Sequence, residues 1–101
     1  MGLIRILDHV DHCYSNADGD IIRKEITQLL LSGSKVIVSF QGVDSASSSF
    51  INSAFIELLD KYDFTFIKQH IKFADSTRTI NETIKRRFSF EVNKSKELLN
   101  V

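Results

Sequence analysis

The chain has 101 residues, 43% of them hydrophobic and eight of them phenylalanine, which excludes intrinsic disorder and fits one domain with a real core. Thirteen basic and thirteen acidic residues cancel, so no global field draws the chain toward nucleic acid or anionic lipid. Cys13 is the single cysteine; it excludes an internal disulfide and suits a reducing cytoplasm.

In chain order, "LIRIL" at 3–7 is short, apolar and β-branched, which predicts a strand. Its apolar run is too short for a secretory signal, and Gly2 is followed by little else of a myristoylation signal. "DHVDHCYSNADGD" reads as a polar loop. From Asp20 the period changes: Ile22, Ile26, Leu29 and Leu30 share a helical face and Gly33 is a stop signal. "KVIVSF" at 35–40 is a nearly continuous apolar run between glycines, the pattern of a strand buried on both faces with helices on its sheet.

A second helix carries Ile51, Ala54, Phe55, Leu58, Leu59 and Tyr62 as an apolar stripe opposite Asn52, Glu57 and Lys61. "DFTFIKQH" leads into a third strand, "IKFA" at 71–74. Asp75 and Ser76 are suited to cap a third helix on which Ile80, Ile84 and Phe88 share a face. "FSFEV" alternates as an edge strand does, and the tail "NKSKELLNV" reads as a short or frayed helix. Strands alternating with helices predict a single α/β domain over 1–101, with its core at about 20–88. The sheet is expected to be mixed but mostly parallel, with about three helices. No stretch approaches the roughly 20 apolar residues of a spanning helix, so the expected location is the cytoplasm, away from any membrane.

Four groups of residues invite a chemical reading. Ser47, Ser48 and Ser49, with Ser45 before them, stand where the second helix needs acceptors for its first free N–H groups. A cap accounts for one serine. A phosphate on Ser48 is also electrostatically suited to a helix start. Asp8, His9, Asp11, His12 and Cys13 are all metal-ligand types. Closed zinc sites, however, draw on two separated pairs and His70 is remote, so a polar loop is the favoured account and no metal is expected. "YSNADGDIIRKE" at 14–25 matches a calcium loop at Asn16, Asp18, Gly19, Ile21 and Glu25 but has Tyr14 at the first ligand position. An Asp18-Gly19 turn with Asp20 as helix cap accounts for it better. Lys85, Arg86 and Arg87 complement a helix C-terminus; a nucleic-acid patch wants more cations and aromatics beside them. There is no phosphate-cradling glycine loop and no nucleophile elbow, so neither an enzyme nor a cofactor is expected.

"KVIVSFQGVDSASSSFINSAFIELLD" followed by "IKFADSTRTINETIKRRF" resembles the STAS-like domain of unknown function of bacteria and their mobile elements. That group is distantly related to the STAS fold of anti-sigma factor antagonists. The resemblance covers about residues 20–88. It rests on the apolar strand, the Gly-Val-Asp-Ser turn, the Ser-Ser-Phe start of the helix and "IKFAD". In the antagonists a partner kinase phosphorylates the serine of an Asp-Ser pair at this turn. By that resemblance Ser48 is the phosphoacceptor, Ser47 replaces the aspartate, and Phe50 replaces a glycine.

The expected function is therefore a non-enzymatic, protein-binding regulatory domain that works by partner switching. Its contact surface is Asp44, Ser45, Ser47, Ser48 and Ser49 with Asn52, Ser53 and Glu57 on the exposed side of the second helix. The resemblance implies a histidine-kinase-like ATPase as partner. Monomer and homodimer are both open, as is the choice among Ser47, Ser48 and Ser49. One alternative is a stand-alone phage or mobile-element inhibitor that binds a host protein without phosphorylation. The other is a small-molecule or nucleic-acid binding module using the first-helix loop or Lys85–Arg87.

Overall fold

The computed structural model describes the backbone of residues 1–99 and the side chains of residues 1–93. Three strands, β1 (Gly2–Arg5), β2 (Val36–Ser39) and β3 (Ile71–Ala74), form an all-parallel sheet in the order β1-β2-β3. Four helices accompany it: α1 (Asn16–Leu31), α2 (Ser48–Ala54), α3 (Phe64–His70) and α4 (Arg78–Leu99). Short 3-10 segments follow β1 (Ile6–Asp8) and α2 (Ile56–Asp60). The architecture is α/β, as the alternation of periods in the sequence implies.

The pairing register aligns Ile4 with Val38 and Phe73, and Leu3 with Ile37 and Lys72. Because side chains alternate along a strand, the first row and its neighbours Gly2, Val36 and Ile71 share one face. All four helices use that face. Leu29 of α1 lies where a side chain on Gly2 would project. Phe55, which closes α2, meets Phe73 at 5.0 Å. α3 and α4 flank Ile71 and Phe73. The other face is open: Leu3 is 61% exposed, Arg5 and Lys72 are exposed, and Ile37 is half-buried. The expectation that β2 is covered on both faces is therefore not met: Val36 and Val38 are buried on the helix side, while on the open side Ser39 is buried but Ile37 only half-buried. Hydrophobic continuity cannot by itself distinguish a two-sided strand from a central strand shielded laterally by its neighbours.

α1 starts four residues before Asp20. Ser15 is its N-cap and accepts from the Asp18 N–H at 3.1 Å, so the Asp18-Gly19 pair lies inside the helix rather than in a turn. Its C-terminus is a Schellman closure: Ser34 N–H bonds Leu29 C=O, Gly33 N–H bonds Leu30 C=O, and Gly33 takes φ +83°. β2 leaves through a turn closed by Val43 N–H to Phe40 C=O at 2.8 Å, with Gly42 at φ +83°.

The second helix is not continuous to Tyr62. It stops at Ala54, and Phe55 (φ −123°, ψ −46°) breaks the helical path before the 3-10 segment. Phe55 is fully buried and touches Phe40, Phe50 and Phe73. Ile56 and Leu58 are buried as well. Burying Ile51, Ala54, Phe55, Ile56 and Leu58 together asks for more than one side of a straight helix can offer.

"DFTFIKQH", the stretch leading into β3, contains α3, capped by Asp63 accepting from Phe66 N–H at 2.7 Å. The helix expected after β3 is α4. Its cap is Thr77, which accepts from Ile80 N–H at 3.2 Å, and not Asp75 or Ser76. Asp75 takes φ +57° and accepts a bond from Ser39 at 2.8 Å, while Ser76 donates to Asn81. "FSFEV" continues α4 and forms no edge strand. Phe88 enters the core beside Ile80 and Ile84, whereas Phe90 is exposed beneath Arg87. Residues 100 and 101 of the tail lie outside the described residues.

Candidate functional site: the turn before the second helix

The chain from Gly42 to Ser49 carries β2 into α2, and Ser47 is its anchor. The Ser47 N–H donates to Cys13 C=O at 2.9 Å. Its hydroxyl donates to Tyr14 C=O at 2.9 Å and accepts from Phe50 N–H at 3.1 Å. One residue thus caps α2 and ties the turn to the segment that enters α1. Tyr14 adds a hydroxyl contact to Ser45 at 3.2 Å. Asp44, Ser45, Ser48 and Ser49 are exposed. Among the described residues the hydroxyls of Ser48 and Ser49 have no hydrogen-bond partner. Ser47 is therefore occupied structurally, and the two hydroxyls free for chemistry are those of Ser48 and Ser49.

The other three expected contact residues have separate fates. Ser53 does not belong to an exposed helix face: it is 6% exposed, donates to Asn16 at 3.1 Å, and packs on α1. Gly19 makes that packing possible. A side chain there would meet Phe50 C=O and Ser53 Cβ at 2.7 Å, closer than real carbon contacts allow. Glu57 lies in the 3-10 segment and pairs with Arg23, which also reaches Asp20 at 3.1 Å and the Ser53 carbonyl. Asn52 accepts from Arg87 of α4 at 2.8 Å, and Arg87 also pairs with Glu91 at 3.4 Å. Asn52, Glu57 and Ser49 line an open polar groove of about 570 Å³ between α2 and α4, with Asp60, Arg87 and Glu91. The sequence contained no signal for the Asn52–Arg87 contact, which joins residues 35 positions apart.

The remaining candidate groups disperse. Cys13 turns into the core, while Asp8, His9, Asp11 and His12 are exposed. Burial, with a smaller contribution from Asp18, pushes the Cys13 thiol up to about 11, which disfavours the thiolate form that ligates metal. Among the described residues no three His, Cys, Asp or Glu side chains converge on a common point. The calcium-loop match falls largely within α1, whose helical backbone cannot wrap an ion as the irregular loop does. Lys85 and Arg86 are exposed, but Arg87 is committed to Asn52 and Glu91; the three cations form no single patch. His70 stacks on Phe66 and bonds its carbonyl. Among the described residues no helix is long and apolar enough to cross a membrane.

A sheet covered on one face by helices, with a strand-end turn leading into a capped helix, is the frame of a STAS-like domain. The profile of the STAS-like domain of unknown function matches residues 18–81, more than half of the chain. The chain belongs to this family. The match runs from the first turn of α1 to the first turn of α4 and contains the whole Gly42–Ser49 turn. No curated protein and no solved structure matches the chain.

Two outcomes are expected. Ser47→Ala removes the cap and the bond to Tyr14, and denaturant unfolding should register a loss of about 1–2 kcal/mol. Ser48→Ala and Ser49→Ala should stay within about 0.5 kcal/mol of the parent. The raised Cys13 pKa contributes stability that is complete below the thiol's ordinary 9.0 and is lost as pH rises toward about 11. In that window the unfolded chain gives up a proton that the folded chain keeps. Unfolding curves for the parent and Cys13→Ala should therefore converge in stability as pH rises from 9 to 11.

Proposed function

We propose that this chain is a non-enzymatic regulatory domain that binds a partner protein through the exposed Asp44–Ser49 turn. In this reading a phosphate on Ser48 switches the contact. The observation that carries it is the division of labour among the serines: Ser47 is held by four hydrogen bonds, and Ser48 beside it is exposed with its hydroxyl free among the described residues.

Charge separates Ser48 from Ser49. Ser49 lines the groove that also holds Glu57, Asp60 and Glu91 against a single arginine, so a dianion on Ser49 would meet like charge. Ser48 is the first residue of α2, where added negative charge is favourable to the helix. The switch then works at the interface. A phosphate of nearly two charges on the turn must be desolvated if the partner is to remain seated, and the complex dissociates. The family resemblance supports an ATP-binding, histidine-kinase-like protein as that partner. Phe50, the bulky residue where antagonists have a glycine, is wholly buried; it serves the core and leaves the turn accessible.

Affinity capture from the native host, with intact-mass and peptide analysis of the captured chain, tests the reading. The expected result is a stoichiometric ATPase partner and phosphate confined to Ser48. Ser48→Ala should keep the partner bound under phosphorylating conditions, and Ser48→Glu should weaken it. A stoichiometric partner of another kind with no phosphate would replace this reading with that of a phosphorylation-independent inhibitor.

A further inference from the structure

The cleft between α3, β3 and α4 shares no lining residue with the polar groove. Phe64 and Ile67 come from α3, Ile71 and Phe73 from β3, and Ile84 and Phe88 from α4. Phe64 and Phe88 stack at 5.2 Å with a 29° angle between their planes, forming an aromatic wall in which Phe64 is half-buried and Phe88 buried. The cleft volume is about 400 Å³, inside the range of about 300–1,000 Å³ typical of small-molecule sites. Its polar groups are Lys68, Lys85, Asn81 and Ser89, and among the described residues no carboxylate lines it.

Arg78 and Arg87 of α4 each pair with a carboxylate, and Arg86, the neighbour of Lys85, pairs with none among the described residues. Among the described residues Lys68 and Lys85 pair with none. The Lys68 ammonium stands 5.4 Å from the centroid of the Phe64 ring, which places the charge over the aromatic wall. An apolar cleft bordered, among the described residues, by two cations without an ion-pair partner and by no acid complements a ligand with an apolar body and one anionic head. A cationic or neutral amphiphile gains the same apolar burial without the charge attraction.

We propose that this cleft binds an amphipathic organic anion, a medium-chain or aromatic carboxylate, with its tail against Phe64, Ile84 and Phe88 and its carboxylate beside Lys68 and Lys85. The site is separate from the turn that carries the regulatory reading, so the two stand or fall independently.

Titration of the 101-residue chain with decanoate, decyltrimethylammonium and decanol, followed through the methyl signals of Ile67, Ile71 and Ile84, tests this directly. Decanoate is expected to bind saturably and to shift these three methyls together. The Lys68→Glu/Lys85→Glu variant should bind it at least about tenfold more weakly. Both lysines are exposed, and an unchanged unfolding midpoint would show that the variant keeps its fold. Ser48→Ala should leave decanoate affinity unaltered. The proposal is overturned if decanoate does not bind, if decyltrimethylammonium or decanol binds as tightly, if charge reversal has no effect, or if the shifts map elsewhere.

Discussion

At Gly19 the backbones of α1 and α2 approach so closely that any side chain would strike the Phe50 carbonyl and the Ser53 Cβ. Much of the molecule depends on that contact. It seats α2 on α1 through Ser53, Ala54 and Asn16, whose small or short polar side chains fill the crossing. It brings the chain that leads into α1 alongside the turn that leads into α2, where Ser47 bonds the carbonyls of Cys13 and Tyr14. The turn is thus braced from outside its own sequence. It need not be held by packing beneath Ser48, which stays exposed.

This dependence also governs which parts of the fold were legible in the sequence. β2 and β3 stood out because a short apolar run between turn residues fits a buried strand and is too short for a buried helix. Ile51, Ala54, Phe55 and Leu58 were recognisable as core from their spacing. The start of α1 was hidden because Asn16, Asp18, Gly19 and Asp20 are turn formers by local preference. Tertiary packing uses Gly19 for close approach, and Ser15 supplies the cap. α3 was hidden because its threonine and aromatics are poor helix formers, although the Asp63 cap immediately after Tyr62 was a usable signal. The alternation in "FSFEV" is also compatible with a helix: Phe88 continues the Ile80–Ile84 face, and Phe90 is left exposed with Arg87 over its ring.

For the site, the turn was legible and its internal hierarchy was not. Three adjacent serines look equivalent in a sequence. Only the positions of Tyr14 and Phe50 separate a structural hydroxyl from the two exposed ones. Ser53 misled for a related reason: its polarity suggested solvent, but its small size is what the helix crossing requires. α4 then divides two unlike surfaces, a polar groove on the Arg87–Glu91 side and an apolar cleft on the Ile84–Phe88 side. A family defined by its fold leaves function to such surfaces.

Native-state hydrogen exchange resolved by residue reveals whether α1 braces the turn while leaving Ser48 free. The amides of Ser47 and Phe50, bonded to Cys13 C=O and Ser47 Oγ, are expected to be protected to the level of Ile22 and Ile26 in α1. The Ser48 amide, in the unbonded first turn of α2, should exchange freely. Ser47 and Phe50 amides exchanging as fast as that of Ser48 would contradict this bracing, because the turn would then be a mobile loop with three interchangeable serines.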